Sequence, residues 1–210
     1  MNPLSKLAEI GSKGILTEPL FSEDAGLKEW GSNGAELLEW LKQKNGFYAF
    51  ESALHVFPIG AKDGVMDLET WNRPDAWRGT YAGLADGYLF FGEDIFGNQF
   101  CLKRDGIGSF DAETGAVTHL ADNLSGWAKL ILSDFELHTG QRLAHAWQSQ
   151  NRPLKPGERL VPKTPFVTGG EYAIQNLAAI EASRGMTFRG DLAVQIRDLP
   201  DGTQIRYSVV

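Results

Sequence analysis

Cysteine occurs once in 210 residues, at Cys101. No disulfide can form within the chain, and no paired-cysteine metal or redox site can be built. Long apolar runs are also missing, since no stretch approaches the ~18 consecutive apolar residues that a membrane helix needs. The first residues, MNPLSKLAEIGSKG, carry no basic-then-apolar export signal. These absences point to a reduced, cytoplasmic protein with no membrane partner. A basic excess is lacking too. The formal net charge is −7; residues 1–100 hold 8 Lys and Arg against 15 Asp and Glu, whereas residues 101–210 hold 12 against 12. A nucleic-acid binder needs a basic footprint to neutralise phosphates, so the sequence argues against nucleic acid as a partner. The acidic half fits either an ordinary solubility surface or a patch complementary to a basic protein, which would raise association rate more than affinity.

What is present is glycine and aromatic side chains. The chain holds 24 Gly, 12 Phe, 6 Trp and 5 Tyr, a composition that favours a turn-rich, sheet-containing fold with large buried rings. Residues 88–117 read YLFFGEDIFGNQFCLKRDGIGSFDAETGAV. Short aromatic and β-branched runs alternate there with Gly, Asn and Asp every six to ten residues, the pattern of antiparallel strands joined by tight turns. Asp105-Gly106 and Thr114-Gly115 suit two of those turns, because glycine accepts positive φ without steric cost. The expected fold class is α+β, an antiparallel meander flanked by helices.

FFGEDIFGNQF, followed by a short strand, an Asp-Gly turn and the GSFDAETGAV hairpin, resembles the SUKH superfamily. That bacterial immunity-protein group also contains the yeast cell-wall regulator domain of the Smi/Knr type. In it a helical N-terminal segment precedes an antiparallel sheet, and the stretch before the sheet often carries a Trp, for which Trp71 and Trp77 are candidates. The likeness is clearest over residues 33–135. The tail from Pro165 resembles C-terminal extensions of proteobacterial members. The match lies in strand order and turn residues, and no pattern in it is diagnostic of chemistry.

Along the chain, Pro3–Ile10 reads as a short helix stopped by Gly11, and Glu23–Trp30 as a weak helical piece. Ala35–Lys44 is a firmer helix, capped by Ser32 or Asn33, with Leu37, Leu38, Trp40 and Leu41 on its apolar face. Tyr48–Phe57 has no clear period; its aromatic richness and terminating Pro58 favour helix. Asp67–Tyr81 is a polar-aromatic connection. Its two Trp either close the core or stand exposed as interface anchors, the residue type that dominates hot spots. Asn123–Gly140 repeats Trp127, Leu130, Ile131 and Phe135 at helical spacing, with Asp122 or Ser125 near its cap. A second helix follows over Thr139–Gln150. Asn151–Gly157, holding two prolines and a glycine, reads as a linker. It divides a SUKH-like domain at 1–150 from an extension at 151–210, expected to pack on the same domain and to end in a strand at Thr203–Val209.

Residues that suggest chemistry fail on spacing. Glu93-Asp94 is an acidic pair at a strand end, but adjacent strand side chains point to opposite faces. Asp105–Glu113 fails as a calcium loop, with Ile107 at a ligand position and Phe110 where glycine belongs. His55, His119, His138 and His145 are scattered, and Cys101 sits on the central strand as a small hydrophobe. No phosphate-binding loop, nucleophile elbow or dinucleotide fingerprint occurs.

A chain without a convergent catalytic set is expected to be a binding module, with no cofactor, no metal and no enzyme activity. The SUKH resemblance implies an immunity protein that binds and blocks a polymorphic toxin such as a nuclease or deaminase. A regulatory scaffold without a toxin partner is the alternative, and a hydrolase using Glu93 or Asp94 a more distant one. The expected partner-binding residues are Asp75, Trp77, Glu93, Asp94, Asn98 and Asp111, with turn chemistry the competing role for each.

Overall fold

The computed structural model describes residues 2–16, 26–60, 62–200 and 202–204. Asn2 caps α1 (Pro3–Ile10) by accepting the Leu4 N–H, and Pro3 occupies the first turn, where no N–H is needed. A 3₁₀ turn at Leu27–Trp30 runs directly into α2 (Gly31–Gln43), so the helix starts four residues before Ala35, on Trp30 and without a side-chain cap from Ser32 or Asn33. The Glu23 end of that piece and most of the strand expected at Thr203–Val209 lie outside the described residues.

The helix expected at Tyr48–Phe57 is a β-hairpin, β1 (Phe47–Ala49) and β2 (Leu54–Val56). Each strand is only three residues long, too short for its alternation to stand out from the aromatic residues around it. Its connection places Phe50, Glu51 and Ser52 at φ 53°, 56° and 68°, three consecutive left-handed residues of which none is glycine. Such a run is strained and persists only where surroundings hold it. Here Phe50 stacks on Phe135 at 4.5 Å. Glu51 meets His145, and Arg159 donates to the Ser52 carbonyl at 3.2 Å.

The meander follows the expected order. β3 (Leu89–Glu93), β4 (Gln99–Lys103), β5 (Gly106–Phe110) and β6 (Val117–Ala121) continue the hairpin into one six-stranded sheet, ordered β1 to β6 and antiparallel throughout. On one face α4 (Leu124–Ser133) sets Trp127 against Phe91 at 5.0 Å, Phe100 at 5.3 Å and Trp40 of α2 at 6.0 Å. The expected single helix over 123–140 divides at Asp134. There φ −154° breaks the helix, and the Asp134 carboxylate accepts the Leu137 N–H to start α5 (Phe135–Thr139). Asn123, rather than Asp122 or Ser125, caps α4. Gly140, at φ 70°, separates α5 from α6 (Gln141–Gln150).

The opposite face is covered by α3 (Leu68–Trp71), a 3₁₀ turn at Trp77–Tyr81 and α7 (Ala182–Ile196), a helix that the linear pattern did not disclose. Gly190 permits the closest approach: a Cβ there would sit 2.1 Å from Thr80 Oγ1 and 2.8 Å from the Tyr81 ring. A second hairpin, β7 (Glu158–Pro162) with β8 (Leu177–Glu181), leads into α7. Asn151–Gly157 is no loose linker. Arg152 pairs with Glu158 at 2.6 Å, Leu154 is buried, and the Gly157 N–H donates to the Tyr48 hydroxyl at 3.0 Å. The tail therefore packs directly on the sheet. Among the described residues no helix is long and apolar enough to cross a membrane.

Trp71 and Trp77 belong to this second layer. Trp77 is 3% exposed and lies 5.2 Å from Phe90, 5.4 Å from Tyr81 and 5.5 Å from Trp71. Its indole N–H has no hydrogen-bond partner among the described residues, so its place rests on ring packing alone. This corrects the anchor reading of Trp77, because a ring enclosed by these three and by Phe110 at 6.4 Å offers no surface to a partner. Trp77→Ala is expected to lower unfolding stability by about 3–5 kcal/mol in denaturant titrations. A loss below about 1 kcal/mol would contradict its place in the core.

Candidate functional site

One cross-strand row carries the polar residues of the sheet. Tyr48 of β1 faces His55 of β2, His55 faces Glu93 of β3, Glu93 faces Gln99 of β4, and Gln99 faces Phe110 of β5. A β-bulge between Phe90 and Gly92 makes the row possible. Three residues apart on a regular strand, Phe90 and Glu93 would face opposite ways. With the extra residue inserted, Phe90 pairs with Cys101 and Glu93 with Gln99, so both look toward the α7 face.

Glu93 has no solvent exposure. His55 Nδ1 lies 3.0 Å from Oε1, Gln99 Nε2 donates to Oε2 at 3.2 Å, and Arg159 Nε of β7 comes within 2.8 Å of Oε1. The Arg159 N–H vector misses that oxygen, so this contact is a charge pair without a hydrogen bond. Arg159 also donates through Nη1 to the Ser52 and Glu158 carbonyls and lies over the Tyr48 ring at 5.6 Å. Burial alone would raise the Glu93 pKa, but Arg159, His55 and Gln99 outweigh it and bring it to about 2. Burial lowers the His55 pKa, only partly offset by the hydrogen bond to Glu93. A neutral imidazole beside an ionised carboxylate donates from Nδ1, which leaves Nε2 as an acceptor.

His55 lines a recess of about 420 Å³ with Tyr48, Met66, Thr70 and Glu181. His55 is 3% exposed there and stacks on the Tyr48 ring at 4.3 Å. Two of its neighbours are already engaged: Glu181 caps α7 through the Ser183 and Arg184 N–H groups, and Tyr48 oxygen accepts from Gly157. Linear spacing gave no sign of His55, since the carboxylate it bonds, Glu93, stands 38 residues away on another strand. Among the described residues no group of three or more His, Cys, Asp and Glu is placed to hold a metal ion. Burial pushes the Cys101 thiol up to about 12.

Asp94 goes the other way from its neighbour. Its carboxylate is folded into the turn, accepting the Phe96 N–H at 2.8 Å, the Asn98 N–H at 2.9 Å and the Asn98 side-chain amide at 2.9 Å. Burial lifts its pKa to about 7 against those bonds and the nearby Arg189. Arg189 of α7 donates to the Phe96 and Gly185 carbonyls beneath this turn. Gly97, at φ 79°, leaves room for it, since a Cβ there would lie 2.6 Å from Nη2.

Of the expected partner-binding residues, Glu93 and Asp94 are therefore buried and structural, a correction with the same physical cause as Trp77. Half-buried Asn98 links the Asp94 turn to Ala112, whose N–H it accepts at 3.1 Å, and Asp111 lies next along the chain. Asp111 is exposed and its side chain accepts the Glu113 and Thr114 N–H groups. Asp75 is exposed but gripped by Arg73 through two hydrogen bonds of 3.0 and 2.8 Å. Asp94, Asn98 and Asp111 thus meet in one region, whereas Asp75 and Trp77 stand apart from it.

That region borders a surface the sequence did not single out. Phe96 is covered by Phe166 and Tyr172, which stack on each other at 3.8 Å and 6°. Tyr172 is 66% exposed and Leu137 74%. Together with Phe96, Asp134, Glu136, Arg142 and Leu143 they line an open recess of about 710 Å³. Glu113 lies behind it, accepting the Val167 N–H at 2.8 Å through one oxygen; the other is buried without a partner among the described residues. The recess thus combines an apolar floor with a rim of Asp134, Glu136 and Arg142.

Glu93→Gln would leave the Arg159 charge buried and unopposed, and is expected to cost about 3–5 kcal/mol. The pH dependence follows from the depressed pKa. The stability that the Glu93 charge contributes is present above 4.5 and fades as pH falls toward about 2, a loss of about 3 kcal/mol that the Gln variant should not show. Paired denaturant titrations from pH 6 to 2.5 measure it. An equal pH slope in both proteins would refute the assignment.

No protein-family model matches this chain. No curated protein matches it either. Among solved structures, the chain is similar to the crystal structure of Atu4351 from Agrobacterium tumefaciens, with a TM-score of 0.56 and 12% sequence identity, over 90% of this chain and 87% of that one. At that identity the likeness establishes a shared α+β fold, extending over the meander and the tail alike.

Proposed function

We propose that this chain is a non-catalytic binding protein that neutralises a cytotoxic protein by covering its working surface, as the SUKH resemblance of the meander implies. The observation that carries this reading is the recess at Tyr172. Two large apolar side chains, 66% and 74% exposed, share its lining with the carboxylates of Asp134 and Glu136. Exposed rings amid polar rims are the usual anatomy of protein interfaces, where a few aromatic anchors carry most of the binding energy. Neutralisation by occlusion needs no chemistry on the partner. It needs a pre-organised surface of ~800 Å² per side. Phe96 and Phe166 beneath the floor belong to a packed hydrophobic cluster with Ala144, Trp147 and Leu160, which supplies pre-organisation.

Where a toxin gene adjoins its own, co-expression of the two should restore growth, and the two proteins should co-purify. Because the chain carries a net charge of −7, association should slow at least severalfold between 50 and 500 mM salt, where surface fields are increasingly screened. Absence of both rescue and co-purification would remove the reading.

A further inference from the structure

The β7–β8 hairpin has two outer edges, and they differ. In an antiparallel ladder alternate residues bond the partner strand, and the residues between them turn their N–H and C=O groups outward. The Lys163 N–H donates to the Asn176 carbonyl at 2.6 Å, and the Ala182 N–H to the Gly157 carbonyl at 2.8 Å. In phase with these bonds stand the pairs Val161–Ala178 and Arg159–Ile180. Ala178 and Ile180 therefore hold β8 to β7, while Leu177 and Ala179 face outward. On β7 the outer edge is occupied, since the Leu160 N–H donates to the Ile95 carbonyl at 2.8 Å. On β8 the Leu177 N–H closes on Ile174. The Leu177 carbonyl and both backbone groups of Ala179 have no partner among the described residues. Open edges are usually blunted by Pro, Lys or a bulge, but β8 reads Leu-Ala-Ala-Ile-Glu in unbroken register.

Beside this edge lies a groove of about 690 Å³, with Leu177 and Ala179 on one wall and Trp147 and Gln150 of α6 on the other. It shares no lining residue with the Tyr172 recess. Arg152 and Lys163 also line it, and no Asp or Glu does among the described residues. The Arg152 charge is met by Glu158 through hydrogen bonds of 2.6 and 2.8 Å. Lys163 is different. It is exposed, and its Nζ donates to the neutral Gln175 carbonyl at 2.8 Å, so its charge is uncompensated. Unpaired backbone groups along a strand edge select extended main chain, which supplies donors and acceptors at the same spacing. The open cation beside them selects a carboxylate on that chain.

We propose that β8 takes up an extended, acidic peptide segment of a partner protein as an added strand. Its backbone bonds Ala179 and Leu177, an apolar side chain lies toward Trp147, and a carboxylate meets Lys163. This is a second interaction surface, and it does not depend on the neutralisation reading of the Tyr172 recess.

Amide hydrogen exchange of the full chain, read by NMR, is the first test. The Ala179 amide should exchange about 100-fold faster than those of Ala178 and Ile180. Equal protection of the three would mean a covered edge and would overturn the proposal. The second test adds the end-capped peptide Val-Glu-Val-Glu-Val, which should slow Ala179 exchange and shift its amide resonance. The same peptide N-methylated at every residue should do neither; if it binds equally well, strand addition is refuted. Val-Lys-Val-Lys-Val should bind about fivefold more weakly, and Lys163→Glu, at an exposed site, should reverse that order. Equal binding of the acidic and basic peptides would remove the acidic assignment. If no peptide perturbs Ala179, the proposal falls while neutralisation at the Tyr172 recess stands. If Ala179 becomes protected as the chain alone is concentrated, with a doubled mass in sedimentation, the edge belongs to a second copy and the assignment to a foreign segment falls.

Discussion

Placing an ionised carboxylate inside a six-stranded sheet costs several kcal/mol unless a counter-charge arrives with it. Glu93 is so placed, with no solvent exposure. Its counter-charge, Arg159, comes from β7, 66 residues later in the chain. The pairing fixes much else. β7 must run close under β2 and β3, the β1–β2 connection must present the Ser52 carbonyl to the same guanidinium, and His55 must stay neutral with Nδ1 turned inward. Gln99 completes the set from β4 and in turn accepts the Trp71 indole N–H at 2.8 Å, which ties α3 to the sheet. A single buried charge thus coordinates strands, connection and tail, consistent with the broader observation that buried polar networks specify an arrangement more than they stabilise it.

Adjacent carboxylates with divergent behaviour follow from the same backbone irregularity. The bulge turns Glu93 toward Arg159, and the chain then reverses within four residues, so the Asp94 carboxylate spends its acceptors on its own turn. One pKa falls to about 2 and the other rises to about 7. The difference is one of partners: a direct cation in the first case, neutral N–H donors and a more distant Arg189 in the second.

The meander was legible because Gly97, Gly106 and Gly115 take left-handed turn positions that favour glycine, because Asp94 and Asp111 accept N–H groups of their own turns, and because β3 to β6 are joined by short connections. The helix faces around Trp40 and Trp127 were legible from their 3.6-residue period. β1 and β2 were not, since each is only three residues long, too short to establish a period, and their turn is made by Phe50, Glu51 and Ser52 rather than by conventional turn formers. α7 escaped notice because its buried positions include Gly185, Arg189 and Gly190, which do not register as an apolar stripe. The polar row was illegible in principle. Its members come one from each strand, and a bulge sets the register. Asp111 and Asn98 were found through turn chemistry, and they border the exposed recess, but Tyr172 carried no signal in a segment dense with Gly and polar residues.

The distance in sequence between Glu93 and Arg159 bears on how the chain is made. A ribosome delivers residues in order, and N-terminal structure generally forms first. When β1 to β6 have emerged, the sheet contains a carboxylate whose cation is still inside or near the exit tunnel. Until β7 follows, Glu93 must stay protonated or hydrated, and the face that α7 will cover lies open at Tyr81 and Gln99. The final packing of that face therefore depends on the tail, which brings both the cation beside Glu93 and the helix that covers Tyr81.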